Sequence, residues 1–111
     1  MVHSMGLATE YFRKMKNGTK TIECRLYDGK RKLLALGDTI EFSDAQNGTD
    51  TISVEIVALH PFPTFSELLD RFPISSFGAH DKDDFLTILK RFYSEEDEKK
   101  YGVIGIEVMR R

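Results

Sequence analysis

The densest chemistry in this chain lies in one short run: Gly18, Lys20, Thr21, Glu23 and Arg25. A carboxylate three positions after one cation and two before another stays ionised and orients both. Arg25 offers a planar fork for a phosphate or a base edge, and Lys20 a movable point charge. A Lys20 stripped of water is also a candidate general base or nucleophile. The same charges read equally as a structural ion-pair cluster at the rim of a sheet. Thr21 brings a hydroxyl, though a β-branched residue there is also ordinary strand filler.

The elements around this run decide what it can do. Ile22, Cys24 and Leu26 alternate with Thr21, Glu23 and Arg25, which predicts a strand over 21–26 with one apolar and one polar face. Lys20 has the parity of the apolar face and falls where the strand begins. Upstream, Val2 to Leu7 is weakly strand-like, and Thr9 is a candidate cap for a helix to about Lys16, with Tyr11, Phe12 and Met15 on one face. Asn17-Gly18 ends that helix, with Gly18 as its left-handed residue. Gly18 therefore has a structural reason to exist beside any ligand contact.

Downstream, Asp28-Gly29 marks a turn, and the chain crosses to Gly37-Asp38, which leads into a strand from Thr39. Asn47-Gly48 predicts the turn into a further strand, Thr51 to Leu59, with Ile52, Val54, Ile56 and Ala58 on one face. Pro61 and Pro63 are expected to stop pairing. Thr64 to Glu67 reads as a capping box for a helix to about Arg71. Ile74 to His80 reads as a loop. Asp81 or Asp83 is expected to cap a helix to Phe92, with Phe85, Ile88, Leu89 and Phe92 inward. Ser94 with Asp97 caps a last helical turn ended by Gly102, and Val103 to Met109 is the final strand. Strands with intervening helices and no regular βαβ alternation predict an α+β domain with a closed or half-closed sheet of five or six strands.

Composition narrows the function. The chain has 111 residues, enough for one domain over 1–111 and one core, and a net charge of −2. Residues 1–32 hold eight Lys or Arg against three acids, whereas 33–111 hold eight against fifteen. The basic third includes Lys30, Arg31 and Lys32, so it reads either as a local patch for a short or shaped nucleic acid or a nucleoside, or as part of a mixed surface. A single cysteine makes no internal disulfide, and no signal peptide or membrane-length apolar run is present; the cytoplasm is expected. Cys24, on the apolar face, reads as a small buried hydrophobe rather than a nucleophile. Tyr27, Phe62 and Tyr93 are able to stack on a base, but aromatics in so Phe-rich a chain are usually core. His80, Asp81, Asp83 and Asp84 superficially resemble metal ligands; acids at a helix start explain them better. His3 and His60 have no second ligand at useful spacing. No metal or cofactor is expected. The chain lacks a P-loop, a dinucleotide fingerprint, a serine-hydrolase elbow and a zinc motif.

Gly18, Lys20, Glu23 and Arg25 form the pattern G-x-K-x-x-E-x-R. With Leu26-Tyr27-Asp28, Lys30-Arg31, Gly37-Asp38-Thr39-Ile40-Glu41-Phe42 and the run from Tyr93 to Ile106, the chain from about Met5 to Val108 resembles the ASCH (activating signal cointegrator homology) domain family. The resemblance implies a PUA-like mixed β-barrel flanked by helices. It implies an RNA- or nucleoside-binding cleft around Gly18, Lys20, Thr21, Glu23, Arg25, Lys30 and Arg31. It also allows an amidohydrolase that deacylates N4-acetylcytidine, with Lys20 and Glu23 as catalytic residues. In that enzyme branch the lysine matching Lys20 works with a threonine three residues later and a distant glutamate. Here Glu23 stands in the threonine's place, which removes the nucleophilic hydroxyl and leaves Lys20 and Glu23 to activate water. Asp81, Asp83 and Asp84 are candidates for the distant acid. Ribonuclease activity has been associated with a family member, but no paired His or metal cluster in this sequence supports it.

Overall fold

Apolar residues at every second position build five strands: β1 (Val2–Leu7), β2 (Ile22–Leu26), β3 (Thr39–Asp44), β4 (Asn47–Phe62) and β5 (Val103–Arg110). The computed structural model describes residues 1–111. Four helices punctuate the strands: α1 (Thr9–Lys16), α2 (Phe65–Arg71), α3 (Lys82–Phe92) and α4 (Glu95–Tyr101). The strands form one sheet in the order β1-β3-β4-β5-β2. β1 pairs with β3 in parallel, and all other neighbours are antiparallel.

That order leaves β1 and β2 as the two edges. Four strand spacings would hold them about 19 Å apart in a flat sheet. Yet Arg25 Nη2 on β2 donates to the Gly6 carbonyl on β1 at 2.7 Å. The sheet is therefore curled into a half-barrel, with a seam where the edges approach. The mixed α+β half-barrel agrees with the expected fold.

Two apolar cores lie on the two faces of this sheet. One joins Met5, Phe12 and Met15 to Ile40, Phe42, Val54 and Ile106. The other joins Ile22, Cys24 and Leu26 to Leu68, Phe77 and Phe85 from the helical side. The parity expected for β2 is thus realised. Gly105 lies opposite Cys24 and lets α2 approach, since a Cβ there would meet Leu68 Cδ1 at 2.8 Å.

Helix ends follow their chemistry, with one exception. Thr64, Asp81 and Ser94 accept from the backbone N–H three residues on, as expected. Gly18 and Gly102 close α1 and α4 with positive φ. Thr9, however, does not cap α1. Ala8 holds the cap position, the Thr9 hydroxyl donates to Asp44 Oδ1 at 2.6 Å, and Gln46 Oε1 accepts from the Thr9 N–H.

Five other expectations are corrected. The β3–β4 turn is Ala45-Gln46, held by Asp44 Oδ1 accepting from the Gln46 N–H, so Asn47 and Gly48 already belong to β4. Pro61 does not stop pairing: His60, Pro61 and Phe62 face Gly105, Ile104 and Val103. β3 reaches only as far as Glu55 of β4 and the Gly37-Asp38 lead-in pairs with Ile56, so beyond Ile56 that edge of β4 is free, and a residue lacking an N–H fits there. A bulge at Val57 then reverses the parity, so Leu59 rather than Ala58 packs on the core. Residues 74–80 include a 3₁₀ turn, Ile74–Phe77, with Phe77 fully buried. Phe92 is not inward: it is 74% exposed.

Candidate functional site

The seam between β1 and β2 opens into a cavity of about 190 Å³. Lys20, Glu23, Cys24 and Arg25 line its β2 side, Gly6, Leu7 and Ala8 the opposite edge, and Tyr11 of α1 with Phe85, Ile88, Phe92 and Tyr93 of the α3 region the mouth. The polar face of β2, the end of β1 and two helices thus converge on one place.

Lys20 is only 2% exposed and lies two residues before the start of β2. Its Nζ donates to the Ile22 carbonyl at 2.8 Å and the Phe77 carbonyl at 2.9 Å, and lies 3.1 Å from Glu23 Oε1. Three acceptors match the three protons of an ammonium. The second carbonyl comes from the 3₁₀ turn, which is anchored further by the Thr21 N–H donating to the Ser76 carbonyl. Gly78, in the left-handed region, leaves room for the Lys20 stem: a Cβ there would meet Lys20 Cδ at 3.2 Å.

Glu23 is 7% exposed and stands between the two cations. Its Oε2 accepts from Arg25 Nε at 2.7 Å. Burial raises the Glu23 carboxyl most strongly, but Lys20 and Arg25 together outweigh it and hold the group below the usual carboxylate range. Burial disfavours the Arg25 charge most strongly, but Glu23 and, behind it, Tyr93 together outweigh that, so the guanidinium's pKa is raised. One carboxylate against two cations leaves the cavity floor with a net positive charge. Arg25 Nη1 has no partner within the protein, and each Glu23 oxygen has lone-pair capacity left.

The remaining polar groups of the cavity are phenols. Burial raises the pKa of both Tyr11 and Tyr93, Glu23 adding to the effect and Arg25 opposing it at Tyr93. Neither hydroxyl meets a protein partner. Cys24 is buried and its thiol is pushed up to about 12 by burial, with Lys20 opposing, so it is no thiolate nucleophile at neutral pH.

Of the residues singled out in the sequence, Lys20, Glu23 and Arg25 meet in this cavity. Gly18 and Thr21 line a separate cavity on the far side of Lys20, near Met15 and Arg110. Lys30 is exposed, and Arg31 pairs with Asp28 at 3.0 Å. Tyr93 is at the mouth, whereas Tyr27 packs on one core and Phe62 on the other. Asp81 and Asp84 line a neighbouring cavity of about 130 Å³ with Lys14 and His80. Glu23 is thus the one carboxylate that lines the seam cavity. Sequence reasoning missed the backbone carbonyls that hold Lys20, which no residue type signals. It missed the cavity role of Tyr11 as well, whose phenol on an apolar helix face was the available cue.

No helix is long and apolar enough to cross a membrane. The profile of the family described as "ASCH domain" matches residues 5–110. No curated protein matches. Among solved structures, hypothetical protein PH0355 is 34% identical, each chain covering 100% of the other, with a TM-score of 0.88. PF0455 from Pyrococcus furiosus is also 34% identical, with 99% of this chain and 97% of that one covered and a TM-score of 0.78. The ASCH domain from Lactobacillus crispatus is 16% identical, covers 97% of this chain and 79% of its own, and has a TM-score of 0.67, a likeness of fold. The family pattern spans both seam strands, the helices over them and β5, so the half-barrel and its seam are those of an ASCH domain, and this chain belongs to the ASCH domain family.

Proposed function

We propose that this chain acts as a single domain that binds one nucleobase in the seam cavity, from a free or modified nucleoside or from single-stranded RNA. The observation that carries this reading is a small cavity walled by Tyr11 and Tyr93 over a floor of Glu23 and Arg25. Its volume of about 190 Å³ falls below the roughly 300 Å³ at which sites for drug-sized ligands begin. One ring system suits it better than a whole nucleotide. The floor presents what a base edge needs: a carboxylate to accept from an exocyclic amine and a guanidinium to donate to a ring acceptor. Its net positive charge favours a ligand attached to phosphate. A lone, buried cysteine suits the cytoplasm as the place of action.

The alternative is N4-acetylcytidine deacylation, favoured by Lys20 and Glu23 lining the same cavity. It requires a group free to accept or deliver a proton at the amide. Lys20 has its three protons matched, and Glu23 is held ionised between two cations. Binding therefore stands ahead of hydrolysis.

The test is a calorimetric titration of the four ribonucleosides, N4-acetylcytidine and short single-stranded RNAs at low and moderate salt. Saturable binding that Arg25→Met abolishes is expected. No saturable binding at low salt, with the protein folded, rejects the reading. Release of cytidine from N4-acetylcytidine, lost in Lys20→Ala, would put the hydrolase first.

A further inference from the structure

Phe92 breaks the rule that large aromatics go inside. It ends α3, follows the cavity-lining Ile88 by one helical turn, and lies at the cavity mouth while remaining 74% exposed. Packing in the folded chain does not need this ring, since the inward face of α3 is supplied by Phe85 and Leu89. Beside it stands a charge with no internal employment. Arg91, three residues on from Ile88, shares that side of the helix and forms neither an ion pair nor a hydrogen bond within the protein. The cations of the signature differ in kind: Lys20 and Arg25 share Glu23, and Arg31 is paired with Asp28.

An exposed aromatic with an unpaired cation beside it, continuous with a base-sized cavity, has the elements of a single-stranded nucleic acid platform. We propose that Phe92 is a second base subsite: the ring of the neighbouring nucleotide stacks on it, and Arg91 meets the phosphate joining the two. The inference rests on the nucleobase reading of the seam cavity and extends it. The preferred ligand is then a dinucleotide step within a single strand rather than a free nucleoside. Tyr11 and Tyr93 hold the first ring between α1 and the end of α3, and Phe92 takes the second outside the mouth.

The experiment compares the four ribonucleosides with dinucleoside monophosphates carrying adenine on the 5′ or 3′ side, by calorimetry, on the wild-type chain and on Phe92→Ala, Phe92→Tyr and Arg91→Ala. For the best-bound nucleoside, one adenylated form is expected to bind about tenfold more tightly or better. Phe92→Ala should remove that gain, weakening dinucleotide binding about fivefold or more beyond any effect on nucleosides, and Phe92→Tyr should keep it. Arg91→Ala should weaken dinucleotide binding and flatten its dependence on salt, with little effect on nucleosides. The inference is overturned if dinucleotides bind no better than nucleosides, if the gain survives Phe92→Ala, or if Phe92→Ala weakens nucleoside and dinucleotide equally. Absence of binding by any of these ligands rejects the nucleobase reading itself, an outcome distinct from nucleoside binding without a dinucleotide gain.

Discussion

Arg25 and Gly6, on the two edge strands of the sheet, are tied by a hydrogen bond of 2.7 Å from the Arg25 guanidinium to the Gly6 carbonyl. The same guanidinium donates to Glu23, which in turn holds Lys20. One side chain thus spans the seam and also belongs to the cavity floor. The half-barrel is closed across this gap by a side chain where a strand pair would otherwise be needed.

Arg25→Lys keeps the charge but not the fork, and one ammonium does not reproduce both the Glu23 and Gly6 contacts. Losing a hydrogen bond to a charged group costs about 1.5–3 kcal/mol. Denaturant unfolding should show a loss of this order, and amide exchange should speed up at the Gly6 end of β1. Unchanged exchange there would mean that the seam does not depend on Arg25.

Lys20→Met leaves Glu23 without one of its two partners and two buried carbonyls without a donor. Breaking a buried ion pair from one side costs about 3–5 kcal/mol. The double substitution with Glu23→Gln should cost less than the sum of the two singles, because the groups act as one network. Strict additivity in urea denaturation would contradict the network.

Acid should dissolve the same cluster. The Glu23 carboxyl is lowered from its ordinary 4.5 in the folded chain. A lowered carboxylate contributes stability that is complete above the unfolded value and is lost as pH falls through the folded one. The stability gap between the wild-type chain and Glu23→Gln should therefore be widest near neutrality and shrink below pH 4.5. Urea midpoints measured from pH 7 to 3 decide this, and a gap constant over that range would refute it.

Gly105→Ala places a methyl 2.8 Å from Leu68 Cδ1. Overpacking of this kind costs about 1–3 kcal/mol. Pairing it with Leu68→Ala should recover part of the loss in thermal unfolding, because the smaller partner makes room. No recovery would place the strain elsewhere.

Much of this arrangement is legible in the residues. The alternation of Ile22, Cys24 and Leu26 against Glu23 and Arg25 names the strand and the face that carries the charges. Side-chain caps at Thr64 and Ser94 follow from residue type, whereas residue type leaves Asp81 and Asp83 open at α3 and the structure selects Asp81. What is not legible depends on distant partners. Pro61 is tolerated because β3 has already ended, which nothing near Pro61 announces. Asn47-Gly48 looks like a turn, yet Asp44 can hold the turn two residues earlier through its own carboxylate. Helical periodicity puts Phe92 on the same face as Phe85, but periodicity cannot tell a core from the rim of an opening. The commitment of Lys20 to two backbone carbonyls is invisible for the same reason: every residue has a carbonyl.

β2 has a single sheet neighbour, β5, and residues 27–102 separate the two. Glu23 lies opposite Ile106 and Arg25 opposite Ile104. During synthesis the charged residues of the cavity leave the ribosome well before the strand that fixes their register. Closing so long a loop is entropically costly and slows folding. A nascent chain stalled before Val103 would already contain every residue of the cavity and still lack the cavity. Shortening the chain at β5 should accordingly disable the site without removing one residue that lines it.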